Sequence, residues 1–283
     1  MGGQPWASDE AIARLRQPYT LTELTPLATE AGVTRSVVIQ TVNDEWETRD
    51  LLALASGMDP YSGSSPSPLA GNLLAGVVGW VDVTRPDVSD AVARLRSGSG
   101  GSFLCGIRHP LLSEPNPEWL IRPDVLNGLR ALGADGLSFD VVALPHQLQS
   151  TVTAAQLVPD LRFVLDHMGG PPVDTAERAR DGRWAVVIRS LGALPNVTCK
   201  LSGVHGLSAH VGALRPYYDV VMESFGPDRL MFGSDWPVSS LGAGYGEVCA
   251  MYRELTADLS PHERTAVFER TARQVYRLQE SLN

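Results

Sequence analysis

Short apolar, β-branched runs alternate with amphipathic stretches along the chain, the pattern of repeated β-α units around a parallel sheet. Seven such runs predict strands at 37–41, 77–83, 103–108, 137–143, 163–167, 197–201 and 230–234. Between them the apolar positions recur at helical spacing, predicting helices at 47–56, 88–96, 122–132, 146–157, 184–194, 214–225 and 246–255. Two more, 261–269 and 271–281, close the chain. Turn dipeptides, Pro195-Asn196 and Pro227-Asp228, stand where a helix must hand over to a strand. The glycine- and serine-rich stretches at 62–67 and 97–102 read as surface loops, so 1–283 is expected to be one domain.

Seven strands is one short of a closed parallel barrel, whereas an open doubly wound sheet needs no fixed number. The segment 1–20 has no β-branched run, yet a helical pattern at 21–31 leads straight into the first strand. That helix has no strand before it. Its own strand is expected upstream, on about 15 to 20 further residues.

Composition narrows the function classes. A formal charge of −9 argues against nucleic acid or an anionic membrane surface as the main partner. Three scattered cysteines are too few for a disulfide framework or a cysteine-rich zinc site. No signal-like start and no apolar run of spanning length occur, so a cytoplasmic protein is expected.

In sheets of this kind functional groups gather at the carboxyl ends of the strands. Four strands run out in reactive residues: Arg108-His109, Asp166-His167, Lys200 and Asp235-Trp236. Asp235, behind a buried strand and ahead of Trp236-Pro237, is placed to take a proton from water, or else it caps the following turn. His167 can hold a metal, donate to a carbonyl oxygen or orient water; a structural imidazole is the alternative. Arg108 offers a planar fork to a carboxylate or ring carbonyl, or pairs with Glu114 or Glu118. Lys200, facing inward, is expected to balance Asp235 or to polarise substrate. His146, in a Pro-His-Gln turn, serves as a ligand contact or only as a helix start. Trp236 is either a stacking platform for a sugar-like ring or core.

Several segments resemble the L-fuconolactonase and sugar-lactonase branch of the amidohydrolase superfamily. They include Trp80-Val81-Asp82, GIRHP at 106–110, LSFDVVALPHQL at 137–148, LRFVLDHMGGPP at 161–172, LPNVTCKLSG at 194–203 and RLMFGSDWPV at 229–238. They follow the family's order from about Tyr19 to the C-terminus. The resemblance implies a (β/α)8 TIM-type barrel and hydrolysis of lactones of sugar acids or related small molecules. It makes Asp235 the base toward water at the end of the eighth strand and places His167 at the end of the sixth. Arg108, with the neighbouring His109, would contact substrate at the end of the fourth.

The chain departs from that pattern at its start. The family's first strand carries a His-x-His pair, and none of His109, His146, His167, His205, His210 and His262 forms one. Gly170 and Leu144 replace basic residues near the expected pocket, and the loop at 204–211 is shorter than the family's. With His167 and Asp235 alone, no tightly held metal or other cofactor is expected. Zinc or manganese would enter only with an upstream His-x-His strand. The expected partner is a small lactone or carboxylate, and a homo-oligomer stays open. Two other functions compete: a metal-dependent decarboxylase or hydratase of the same superfamily, and a barrel remnant without catalysis.

Overall fold

The structure, a computed structural model, describes residues 13, 15, 17–58, 73–171, 179, 180, 182–203 and 211–279. Its centre is an all-parallel sheet of seven strands in sequence order: β1 (Ser36–Ile39), β2 (Leu74–Gly79), β3 (Leu104–Pro110), β4 (Ser138–Val142), β5 (Arg162–Leu165), β6 (Val197–Leu201) and β7 (Leu230–Phe232). Each strand pairs only with its neighbours in sequence, as repeated β-α units require.

The helices cover one face because their apolar residues fall on one stripe. In α3 (Val88–Ser97) the buried positions are Val88, Ala91, Val92 and Leu95; in α4 (Pro123–Ala134) they include Val125, Leu126, Leu129 and Leu132. Helices α1 (Leu21–Glu30), α2 (Glu45–Ala55), α5 (Leu148–Leu157), α6 (Arg183–Gly192), α7 (Val211–Phe225) and α8 (Tyr245–Leu255) complete the layer. Outward-facing strand residues such as Ile107, Phe139, Leu165 and Leu201 meet them in the main core. Each such side chain, fully buried, contributes roughly 1.5–3 kcal/mol.

The opposite face is concave. Val37 and Ile39 of β1, Val78 of β2, Cys105 of β3, Val164 of β5 and Met231 of β7 all pack into one cluster with Val275 and Tyr276. Side chains from the first and last strands can share such a cluster only if the sheet curls into an arc. The C-terminal segment fills that arc from below. It runs as α9 (Pro261–Thr265), a π-helical turn (Ala266–Arg270) and α10 (Thr271–Val275). Arg162 ties it down by donating to the Val275 carbonyl at 2.8 Å.

Each of the seven expected strands has a counterpart, with shifted limits. The second ends at Gly79 and not at residue 83, because Trp80 N–H donates to Thr48 Oγ1 at 2.8 Å on α2 and leaves the ladder. The last ends at Phe232, although Gly233 N–H still reaches the Leu201 carbonyl at 3.1 Å. The two closing helices, expected to part at Arg270, run on through the π-helical turn, since no glycine or proline interrupts them. Residues 59–72 and 204–210 lie outside the described residues, and with them the expected loop at 62–67, His205, His210 and most of the shortened loop. Among the described residues β1 and β7 are the two edges of the sheet. No helix among the described residues is long and apolar enough to cross a membrane.

Candidate active site

The strand ends that carry reactive residues converge on the mouth of the arc, and they form two layers. The upper layer holds His167 and Asp235. His167 Nε2 lies 3.8 Å from Asp235 Oδ1, and its Nδ1 is 2.9 Å from Ser202 Oγ, just past the end of β6. Both side chains keep some exposure, 24% and 14%.

Their backbones are unusual. His167 (φ 54°), Met168 (φ 53°) and Asp235 (φ 55°) are three of the four described non-glycine residues in the left-handed region, where a side chain costs roughly 1–2 kcal/mol. Gly169 and Gly170 continue the same turn with positive φ. The turn is held from outside: Trp184 Nε1–H donates to the Met168 carbonyl at 3.0 Å, and Gly170 N–H to the His167 carbonyl at 2.9 Å. Gly203 (φ +76°) presses against the His167 ring so closely that a Cβ there would overlap it.

The lower layer is a buried chain of charge. Lys200 Nζ lies 2.6 Å from Asp140 Oδ2 and 2.7 Å from Asp166 Oδ1, with its side chain 10% exposed. Asp166 Oδ2 takes Arg108 Nη1 at 3.3 Å. The other end of the Arg108 fork donates to the Gln40 backbone carbonyl, leaving its buried Nε–H without a partner. Tyr276 donates its hydroxyl to Asp140 Oδ2 at 2.6 Å from the C-terminal segment. Burial pushes the Asp140 carboxyl above the usual carboxylate range against the pull of Lys200. Burial would raise Asp166 too, but Lys200, His167 and Arg108 together bring it below that range. Lys200 is desolvated as well, and its two carboxylates still hold its ammonium above the ordinary value.

Two expectations are corrected by this geometry. Lys200 balances Asp140 and Asp166, not Asp235, because its ammonium lies 2.6 and 2.7 Å from those two carboxylates. Arg108 pairs with Asp166 and not with Glu114 or Glu118. Glu114 is taken instead by His109, whose Nε2 lies 2.7 Å from Glu114 Oε1 while Nδ1 accepts the Trp80 indole N–H at 3.3 Å. The His109 ring stacks on Trp119 at 4.1 Å, and burial pushes its imidazole below the usual range despite Glu114.

The remaining candidates sit apart from both layers. His146 is exposed in its turn, whereas its neighbour Gln147 is buried and donates to the Leu111 carbonyl at 2.7 Å. Trp236 packs edge-on against Tyr19 at 5.3 Å and joins a small cluster beneath α1 and α8. Sequence reading gave no role to Asp140, Asp166, Ser202, Gln40 or Tyr276. Of these, only Asp166 and Ser202 stood in a recognisable strand-end motif.

The amidohydrolase family model matches residues 69–278. An L-fucono-1,5-lactonase of Burkholderia ambifaria is 35% identical over 90% of this chain and 84% of its own length. A second, from Burkholderia multivorans, is 33% identical over 98% of this chain and 91% of its own. The crystal structure of an amidohydrolase from Burkholderia multivorans with bound zinc superposes with a TM-score of 0.85 at 31% identity. It covers 98% of this chain and 94% of that one.

Zinc in a protein normally takes three or more side-chain ligands. His167 and Asp235 offer two, and no group of three His, Cys, Asp or Glu side chains among the described residues could hold a metal ion. These residues alone do not fit a zinc site. With a parallel, curled β-α sheet, reactive groups at its strand ends and these relatives over nearly its whole length, the chain belongs to the amidohydrolase family and is a hydrolase.

Proposed function

We propose that this hydrolase opens the lactone ring of a sugar acid, with water activated by Asp235. The observation that carries the reading is the His167–Asp235 pair itself. His167 Nε2 and Asp235 Oδ1 face each other at 3.8 Å, and both residues are held in left-handed backbone at the mouth. Strain of that kind persists where function offsets it. The relatives named L-fucono-1,5-lactonase and L-rhamnono-gamma-lactonase support a sugar lactone as the substrate class.

Asp235 Oδ takes a proton from water as the oxygen attacks the lactone carbonyl carbon. The carbonyl oxygen, now negative, accepts a hydrogen bond from His167 Nε2–H, with Ser202 Oγ fixing the ring through Nδ1. Collapse of the tetrahedral centre breaks the ring C–O bond, and Asp235 returns its proton to the departing alkoxide. The product is the open hydroxy acid. The hydroxyl-bearing part of the substrate would lie toward Arg108 and toward His109, which takes the Trp80 indole N–H.

A panel of aldono-1,4- and 1,5-lactones, followed by acid release, tests the substrate class. Asp235→Asn should lower kcat by about 10²–10⁴-fold, the span for losing a positioned base. A variant with near-normal turnover would remove Asp235 from this role.

A further inference from the structure

The buried charges of the lower layer are more than packing requires. Asp140, Lys200, Asp166 and Arg108 supply two negative and two positive groups inside the arc. Burying ion pairs is often no better for stability than apolar residues of the same volume. Apolar side chains already fill the arc beneath them, at Val78, Val164, Met231 and Val275. The chain of contacts is continuous and directed. It starts at the Tyr276 hydroxyl, passes through Asp140, Lys200 and Asp166, and ends on the Arg108 fork. Asp166 is also the residue that enters the left-handed turn of His167 and Met168.

We propose that Tyr276 is a positioning residue: through Asp140 and Lys200 it fixes Asp166, and thereby sets both the Arg108 fork and the entry into the His167 turn. It touches no substrate. A residue from the C-terminal floor thus controls the geometry of the mouth at the other end of the same arc. Asp140 is the link that makes this work, because two donors meet on its Oδ2, one from Lys200 and one from Tyr276. Without the phenol, Lys200 is the sole remaining donor on that oxygen. It is then drawn toward Asp140 and loosens its hold on Asp166.

The proposal rests on the lactone-hydrolysis reading for its catalytic readout, so a second readout is independent of turnover. Tyr276→Phe keeps the ring in its apolar cluster and removes only the hydroxyl. Val275→Ala is the control, since it thins the same floor without touching the charged chain. On a lactone that the wild-type protein opens, Tyr276→Phe should lower kcat about tenfold, the size of one lost hydrogen bond to a charged group. KM should stay within about twofold, while Tm should fall as the native-state bond to buried Asp140 is lost. Val275→Ala should lower Tm with kcat kept. By hydrogen exchange, the amides of residues 166–170 should exchange faster in Tyr276→Phe than in Val275→Ala. Asp140→Asn removes the charge that draws Lys200 away from Asp166, so it should not reproduce that faster exchange.

Wild-type kcat together with wild-type exchange at 166–170 in Tyr276→Phe overturns the proposal. So does a loss of kcat matched by an equal loss in Val275→Ala, which would make the floor merely structural. If the wild-type protein opens no lactone, the hydrolase reading falls and the exchange comparison alone decides on Tyr276.

Discussion

The two layers of charge beneath and at the mouth use the same residue types to opposite ends. In the lower layer every carboxylate oxygen of Asp166 and one of Asp140 has a cationic neighbour, and both carboxylates are sealed from water. In the upper layer an imidazole and a carboxylate face each other at 3.8 Å with part of each side chain exposed. Close matching makes a fixed scaffold; a looser pair with residual solvent access suits the proton transfer proposed for Asp235. Lys200 and Asp235, equal candidates by their strand-end positions, therefore belong to different machinery.

Removing one charge from each layer should separate them. Lys200→Met leaves two buried carboxylates with Arg108 as their only cation in the chain, and should cost on the order of 3–5 kcal/mol of stability. In urea denaturation the loss should be partly restored by adding Asp140→Asn, which rebalances the charge. Asp235→Asn should leave the same denaturation midpoint close to wild type while abolishing most turnover. Equal stability losses in the two variants would erase the distinction between the layers.

The next effect concerns geometry without charge. Gly203→Ala places a methyl group against the His167 ring and asks alanine to hold φ near +76°. Displacing the imidazole by about 1 Å should lower kcat/KM about 10²-fold. Gly212→Ala, where a Cβ would meet nothing within 4 Å, is the matched control. If both glycine variants turn over like wild type, the position of His167 is not critical.

The smallest effect is a pH dependence at the side wall. Burial depresses the His109 imidazole, so the unfolded chain takes up that proton before the folded one does. Stability from this group is present above the unfolded value of about 6.5 and is lost as pH falls below it. Protonated Nδ1 can no longer accept from the Trp80 indole. His109→Gln should therefore flatten the decline of Tm between about pH 6.5 and 5. An unchanged slope would assign that decline to other groups.

Much of the upper layer could be read from the chain because strand ends announce themselves. Asp235 and His167 follow short apolar runs and precede residues that stop a helix, so their place at the mouth follows from local order. Lys200 was legible as inward-facing by alternation, but its partners were not. Asp140 sits mid-strand in Ser-Phe-Asp-Val-Val, where no turn residue marks it as special. Its second partner, Tyr276, is 136 residues away in a helical run whose pattern predicts only an apolar face. Side-chain pairing across such separations is a property of how the sheet curls, which periodicity does not encode. The indole of Trp236 shows the same limit, since its packing against Tyr19 depends on where residues before α1 return to the mouth.

The floor of the arc also has a kinetic meaning. Tyr276 reaches Asp140 over 136 residues, and Arg162 reaches the Val275 carbonyl over 113. Contacts between sequence-adjacent β-α units close short loops and can form early, whereas these close very long ones. The floor should be among the last parts to dock, so its interactions are weak in the folding transition state and full in the native one. Strengthening it would then slow unfolding with little change in the folding rate. Conversely, Val275→Ala should steepen nothing in the refolding arm of a chevron and raise the unfolding arm. The residues that set the mouth's geometry are in this sense also the latch on the protein's lifetime.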